Sequence, residues 1–228
     1  MQTTQHGCNL KRFYERSRKE SEFVGGMDSE VQDEIDCDIQ FFGETAPDNE
    51  QFSPTTPQWR TTKCEELHLP VPKANNERRV KKPLGDPLAV QEIIGDGNCL
   101  FRAISYEVTL SEEHHQFFRI AACNVLRDKR YKVSFEAKHI PKHLSSNDYI
   151  KEFKMDTLGT WSTDVEIFAL ATLLNIRIAV FYRPPSSEKT SWYYYNPEMS
   201  SVNIHDMSIY LRNTGNHFER VKSVKTLQ

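Results

Sequence analysis

A chain of 228 residues has room for one domain of ordinary size and a tail. Its hydrophobic content of 38% is low for a wholly globular chain, so part of it is expected to stay outside any core. A formal net charge of −3 gives no global pull toward nucleic acid, and no apolar run approaches the roughly 20 residues of a membrane span.

The five cysteines, Cys8, Cys37, Cys64, Cys99 and Cys123, are odd in number and scattered. None has the C-x-x-C spacing of a zinc or redox site. Such a set fits a reducing compartment better than a disulfide framework, and the N-terminus lacks the charged-then-apolar pattern of a secretory signal. A cytoplasmic or nuclear location is the expectation.

Residues 1–78 read as a tail of low order. Lys11, Arg12, Arg16, Arg18 and Lys19 form a basic patch around Phe13 and Tyr14, interrupted by Glu15. This is expected to be a solvated face. From Asp28 to Glu50 every charged residue is acidic, interleaved with Val31, Ile35, Ile39, Phe41 and Phe42. That pattern suits a solubilising linker, or a short motif that orders on contact. Pro54, Pro57, Pro70 and Pro72 then punctuate a stretch of little periodicity, and Arg78-Arg79-Val80-Lys81-Lys82 marks the boundary of a domain over residues 84–224.

Leu88-Ala89-Val90 and Ile93-Ile94 make an apolar lead-in expected to pack beneath the next stretch, Gly95-Asp96-Gly97-Asn98-Cys99-Leu100-Phe101-Arg102-Ala103. Two glycines around an aspartate allow positive φ and close approach of the backbone to a ligand, and Asp96 and Asn98 are turn formers. Leu100, Phe101 and Ile104 continue at helical spacing, which puts Cys99 at a helix N-terminus. There the macrodipole and free N–H groups favour a thiolate, and the N–H groups of the Gly97–Asn98 turn can hold an oxyanion. A buried structural cysteine fits the same stretch equally well.

Further along, Ser111 reads as a helix N-cap with Glu112 and Glu113 in the first turn, and Phe117, Ile120, Ala121, Val125 and Leu126 as the buried face. Cys123 lies within that helix as a small core residue. His139 and His143 have the spacing of two ligands on one helical face. Pro141 stands between them and nothing completes a set, so no metal is assigned. Residues 146–156 read as a short helix. Thr163 and Glu166 form a capping box ahead of Val165, Phe168, Ala169 and Thr172. Ile176–Tyr182 and Trp192–Tyr195 read as strands, the aromatics alternating to cover a core. Ser208–Arg212, the turn Asn213-Thr214-Gly215-Asn216 and His217–Val221 read as a hairpin, with His217 beside the turn. Helices followed by strands make an α+β domain with a small, mostly antiparallel sheet.

A cysteine nucleophile needs a base near it in space, and His217 offers one. The Gly95–Ala103 stretch, the block from Trp161 to Ala171 and Asn216-His217-Phe218 together resemble the ovarian-tumour (OTU) family of papain-like cysteine proteases, over roughly residues 84–224. The resemblance implies an OTU-like fold and hydrolysis, without cofactor or metal, of isopeptide bonds after the Gly-Gly terminus of ubiquitin or a ubiquitin-like modifier. Cys99 is implied as nucleophile, His217 as base and Asp96 as part of the site, with Glu219 where the family commonly has Asp or Asn to orient the histidine. Glu166 matches a recurrent acidic position, although its capping box already explains it. Three other readings stand beside this one. They are an inactive ubiquitin-binding domain, a protease of viral or mobile-element polyproteins, and a nucleic-acid adaptor using the basic clusters and tyrosines.

Overall fold

The computed structural model describes residues 44–47, 50–73, 81–182, 191–199 and 207–226. The basic patch at 11–19, the acidic stretch up to residue 43 and Arg78–Val80 lie outside the described residues.

Six helices and eight strands are present among the described residues. In chain order they are β1 (Glu44–Thr45), β2 (Gln51–Phe52), α1 (Pro57–Glu66), β3 (Lys82–Pro83), β4 (Pro87–Gln91), α2 (Cys99–Thr109), α3 (His115–Arg127), α4 (Lys132–Lys138), α5 (Ser146–Glu152), α6 (Asp164–Leu174), β5 (Arg177–Tyr182), β6 (Ser191–Tyr195), β7 (Ser208–Asn213) and β8 (Phe218–Val224). The main sheet has the order β1-β6-β5-β7-β8-β4. Only the central β5–β7 pair is parallel. The fold is α+β, as the sequence leads one to expect.

Both faces of the sheet are covered, which is why β5 reads as an almost continuous apolar run. Ile178, Val180, Tyr195, Ile209 and Leu211 point into the main core, shared with α2, α3 and α6. Their neighbours Ala179, Trp192, Tyr194 and Tyr210 face the other way, onto a second cluster with Phe52, Val221 and Val224. The tyrosine-rich strand therefore serves packing on both faces.

The two clusters take in part of the stretch read as tail: residues 44–47 and 50–73 pack on the sheet and helices. Thr56 caps α1 by accepting from the Trp59 N–H, and Pro57 opens the helix where its missing N–H costs nothing. The helix reads as featureless because it buries Arg60 and Cys64, and no apolar stripe. Arg60 donates through Nε to the Glu107 carbonyl at 2.6 Å, and its Nη2 lies 3.1 Å from the Glu107 carboxylate. Arg220 of β8 and Thr55 complete the same carboxylate. Glu50 pairs with buried Arg177 at 3.0 Å, and the Tyr210 hydroxyl accepts from Ser53 N–H and donates to the Gln51 carbonyl. Polar contacts with residues between 47 and 159 positions away recruit this segment, so local periodicity is silent about it.

Three local expectations also shift. Leu88 and Ile94 are exposed, and residues 87–91 form an edge strand on β8, leaving Ile93 alone to pack under the following turn. Ser111 does not cap α3. Its hydroxyl accepts from Glu113 N–H in a turn before the helix starts at His115. The buried face of α3 is Phe118, Arg119, Ala122, Cys123, Val125 and Leu126, while Phe117 and Ile120 face solvent. The two aromatic neighbours and Ile120 admit either phase, and an arginine on the inner stripe hides the true one.

The Glu107 cluster generates a stability prediction. Glu107→Ala leaves two arginines buried without their shared carboxylate and is expected to cost about 3–5 kcal/mol in urea unfolding. Thr55→Ala, which removes one hydroxyl bond to the carboxylate, is expected to cost about 1.5–3 kcal/mol.

Candidate active site

Cys99 is the first residue of α2, with Asn98 at the N-cap. Asn is a favoured capping residue, yet here its side chain makes no cap bond. Its Oδ1 accepts instead from Gly159 N–H at 2.9 Å and from Arg119 Nη2 at 2.8 Å. The first N–H groups of the helix are thus left to the sulfur and to whatever sits beside it.

The loop before Cys99 is clamped on both flanks. On one flank, the Asp96 carboxylate accepts from Asn98 N–H at 3.0 Å and from Arg102, whose Nη2 lies 2.6 Å away. Burial works against this carboxylate's charge, but the bonds from Arg102 and Asn98 outweigh it and hold Asp96 well below the usual carboxylate range. Glu112 adds to this flank by accepting from Ile94 N–H at 3.1 Å and lying 3.8 Å from Arg102. On the other flank, Gly97 takes a φ of +78° and packs against Gly159, where a Cβ on Gly97 would come within 2.1 Å of the Gly159 carbonyl oxygen. Both the dihedral and the close approach demand glycine there.

His217 follows the β7–β8 turn, and its imidazole lies over Gly95, about 3.6 Å from where a Cβ on that glycine would stand. The backbone N–H of the next residue, Phe218, is among the groups that favour the charged form of Cys99. The structure therefore brings Cys99, Asp96, Gly97, Asn98 and the His217–Phe218 turn to one place, at the helix end and the mouth of the hairpin.

The details correct three expectations. Burial is the largest influence on Cys99 and pushes its thiol above the ordinary value, despite the lowering effect of the Phe218, Leu100 and Cys99 N–H groups. The helix end alone does not produce a resting thiolate. The Asn98 N–H, expected as an oxyanion donor, is already given to Asp96, whereas Gly97 N–H has no partner among the described residues. Glu219 shares a strand face with His217 but binds Arg212 across the hairpin, with Oε2 accepting from Nε at 2.6 Å. Its other oxygen and the His217 imidazole form no hydrogen bond or ion pair among the described residues.

Other candidates fall elsewhere. Glu166 is fully buried in its capping box and accepts from the Tyr149 hydroxyl. Burial pushes the Cys123 thiol up to about 12. The His139 Nε2 lies 2.8 Å from Glu198 and its ring stacks on Phe168, which accounts for this histidine without a metal. Among the described residues no group of three or more His, Cys, Asp or Glu side chains is placed to hold a metal ion.

Arg119, Arg102, Glu112 and Gly159 are the residues around this site that sequence reading passes over. Arg119 had a signal: it falls on the stripe of Phe118, Ala122 and Leu126 once α3 is phased correctly, and a charged residue on an inner stripe marks a specific partner.

A family model described as "OTU-like cysteine protease" matches residues 94–218. "OVARIAN TUMOR DOMAIN-containing deubiquitinating enzyme 9" of Arabidopsis thaliana is 36% identical over 93 residues, covering 41% of this chain and 25% of that protein. "OTU domain-containing protein 4" of Homo sapiens is 29% identical over 130 residues, covering 57% of this chain and 10% of that protein. The chain thus matches a quarter or less of the length of these two relatives. Among solved structures, the OTUD1 OTU domain superposes with a TM-score of 0.48 at 22% identity, over 59% of this chain and 85% of that one. The Hazara virus OTU bound to ubiquitin does so with a TM-score of 0.45 at 16% identity, over 60% and 82%.

Since burial holds Cys99 protonated, its alkylation by iodoacetamide is expected to be slow at pH 7. The rate should climb with pH past the ordinary thiol value of 9.0. Peptide-resolved mass spectrometry along a pH series, with Cys99→Ala as the blank, reads this directly. Rapid modification at neutral pH would mean a thiolate already formed.

Proposed function

Because the chain belongs to the OTU-like cysteine protease family, we propose that it is a deubiquitinating enzyme that cleaves isopeptide bonds after the C-terminal Gly-Gly of ubiquitin or a ubiquitin-like modifier. The observation that carries the reading is the convergence of the Cys99 sulfur, open helix N–H groups and the His217–Phe218 turn. A conserved fold can host an inert protein, but this is an arrangement suited to acyl transfer.

The chemistry follows from the geometry. With the thiol held neutral by burial, His217 accepts its proton as the sulfur closes on the scissile carbonyl, in place of a stored ion pair. The carbonyl oxygen gains the negative charge and is met by the N–H groups of Gly97 and Cys99, beside the positive end of the α2 dipole. The imidazolium returns its proton to the departing lysine amine, leaving an acyl thioester on Cys99. Water, deprotonated by His217, then attacks the thioester and releases the ubiquitin carboxylate and the thiol.

Asp96 acts in this scheme by shaping the turn, since its carboxylate is committed to Arg102 and Asn98. Glu219 is assigned the orienting role toward His217 in this scheme, through the oxygen that Arg212 leaves unused. The choice of ubiquitin as substrate rests on the family likeness.

The test is labelling with ubiquitin that carries a thiol-reactive electrophile at its C-terminus. Wild type is expected to form a covalent adduct and Cys99→Ala none. On a fluorogenic ubiquitin substrate, His217→Ala is expected to lower kcat on the order of 10²–10⁴-fold. Glu219→Gln should lower it less and shift the acid limb of the pH profile; an unshifted profile would remove Glu219 from the mechanism. Absence of any adduct, with intact ubiquitin binding, would reduce the domain to an inactive binder.

A further inference from the structure

We propose that Arg119 is a positioning residue for attack by Cys99, setting the spacing between the loop that carries the nucleophile and the segment at 155–160 that faces it. The inference rests on the cysteine-protease reading above and adds to it a second wall of the cleft.

Arg119 is the fifth residue of α3, on its inward face, and it is completely buried. Its Nη2 faces three acceptors: the Gly97 carbonyl at 3.1 Å, Asn98 Oδ1 at 2.8 Å and the Thr160 carbonyl at 2.6 Å. Nη1 donates to the Met155 carbonyl at 2.9 Å, and the guanidinium carbon lies 4.2 Å from the centre of the Phe101 ring. Two acceptors belong to the residues just before Cys99 and two to the facing segment. One planar group therefore spans the joint.

The joint has no slack. Gly97 and Gly159, with φ of +78° and +80°, meet backbone to backbone, and Gly159 N–H donates to the same Asn98 oxygen that Arg119 holds. The Gly97–Asn98 peptide is fixed at both ends, its carbonyl by Arg119 and its N–H by Asp96. Once that plane is set, the Gly97 and Cys99 N–H groups on either side have fixed directions relative to the sulfur. A fork of N–H donors on a delocalised cation can hold such divergent acceptors; the compact ammonium of lysine cannot. Displacing a reacting group by about 1 Å costs on the order of a hundredfold in rate.

The test uses the full chain with Arg119→Lys and Arg119→Met. Four quantities are read: kcat and KM separately on a fluorogenic ubiquitin substrate, hydrogen exchange in peptides covering 94–99 and 157–161, and the thermal midpoint. For Arg119→Lys the expected result is a folded protein with KM within about twofold and kcat lower on the order of a hundredfold. Exchange should rise in those two peptides together while α3 and α6 stay protected. Unchanged kcat with both loops still protected would overturn the proposal, and so would exchange raised uniformly across the domain, which would make Arg119 a stabilising residue only. If wild type fails to turn over ubiquitin, the functional reading falls, while coupled exchange of the two loops still decides the role of Arg119. Should both variants fail to fold, Asn98→Ser, which removes the shared acceptor and leaves the guanidinium, must reproduce the fall in kcat and the paired exchange. Normal values there would overturn the proposal too.

Discussion

The carboxylate of Glu107 holds this molecule together in a way that bears directly on its chemistry. It lies two turns beyond Cys99 on α2, and it is shared by Arg60 of the first helix and Arg220 of the last strand. Arg220 stands three residues after His217, so a single buried charge cluster fixes the cysteine helix against the histidine strand. Burying three ionised groups is costly, and such clusters contribute little net stability compared with apolar packing. What they add is intolerance of misplacement, because any slip leaves a charge without its partner in a medium of low polarity. The same carboxylate reaches Arg60, so residues far from the site in sequence are part of what aligns it.

The helices and strands that carry apolar periodicity were legible in the sequence: the capping box at Thr163 and Glu166, the alternation along β5 and β6, the hairpin before His217 and the turn before Cys99. So was the meeting of Cys99 with the His217–Phe218 turn, given the family likeness. The failures share a cause. The first helix carries its buried contacts on Arg60 and Cys64, α3 hides an arginine in its inner stripe, and Glu219 turns to Arg212. Each depends on a charged or polar partner supplied by another element. Local pattern records how much apolar surface a segment must bury, and it records nothing about which ion another segment will bring.

The sulfur illustrates how two local rules can compete. A helix N-terminus favours the thiolate, and enclosure favours the thiol; at Cys99 the enclosure prevails. A thiol kept neutral by enclosure is a weaker nucleophile than a thiolate, and it is also less open to oxidants.

Strand β4 closes one edge, but its pairing with β8 slips twice, between Pro87 and Ala89 and between Ala89 and Val90, and it begins on a proline. The opposite edge, β1, is two residues long. Among the described residues, neither border offers a long flat row of unpaired amides onto which a foreign strand could zip, and the exposed Leu88 rides on a bulge that breaks the row.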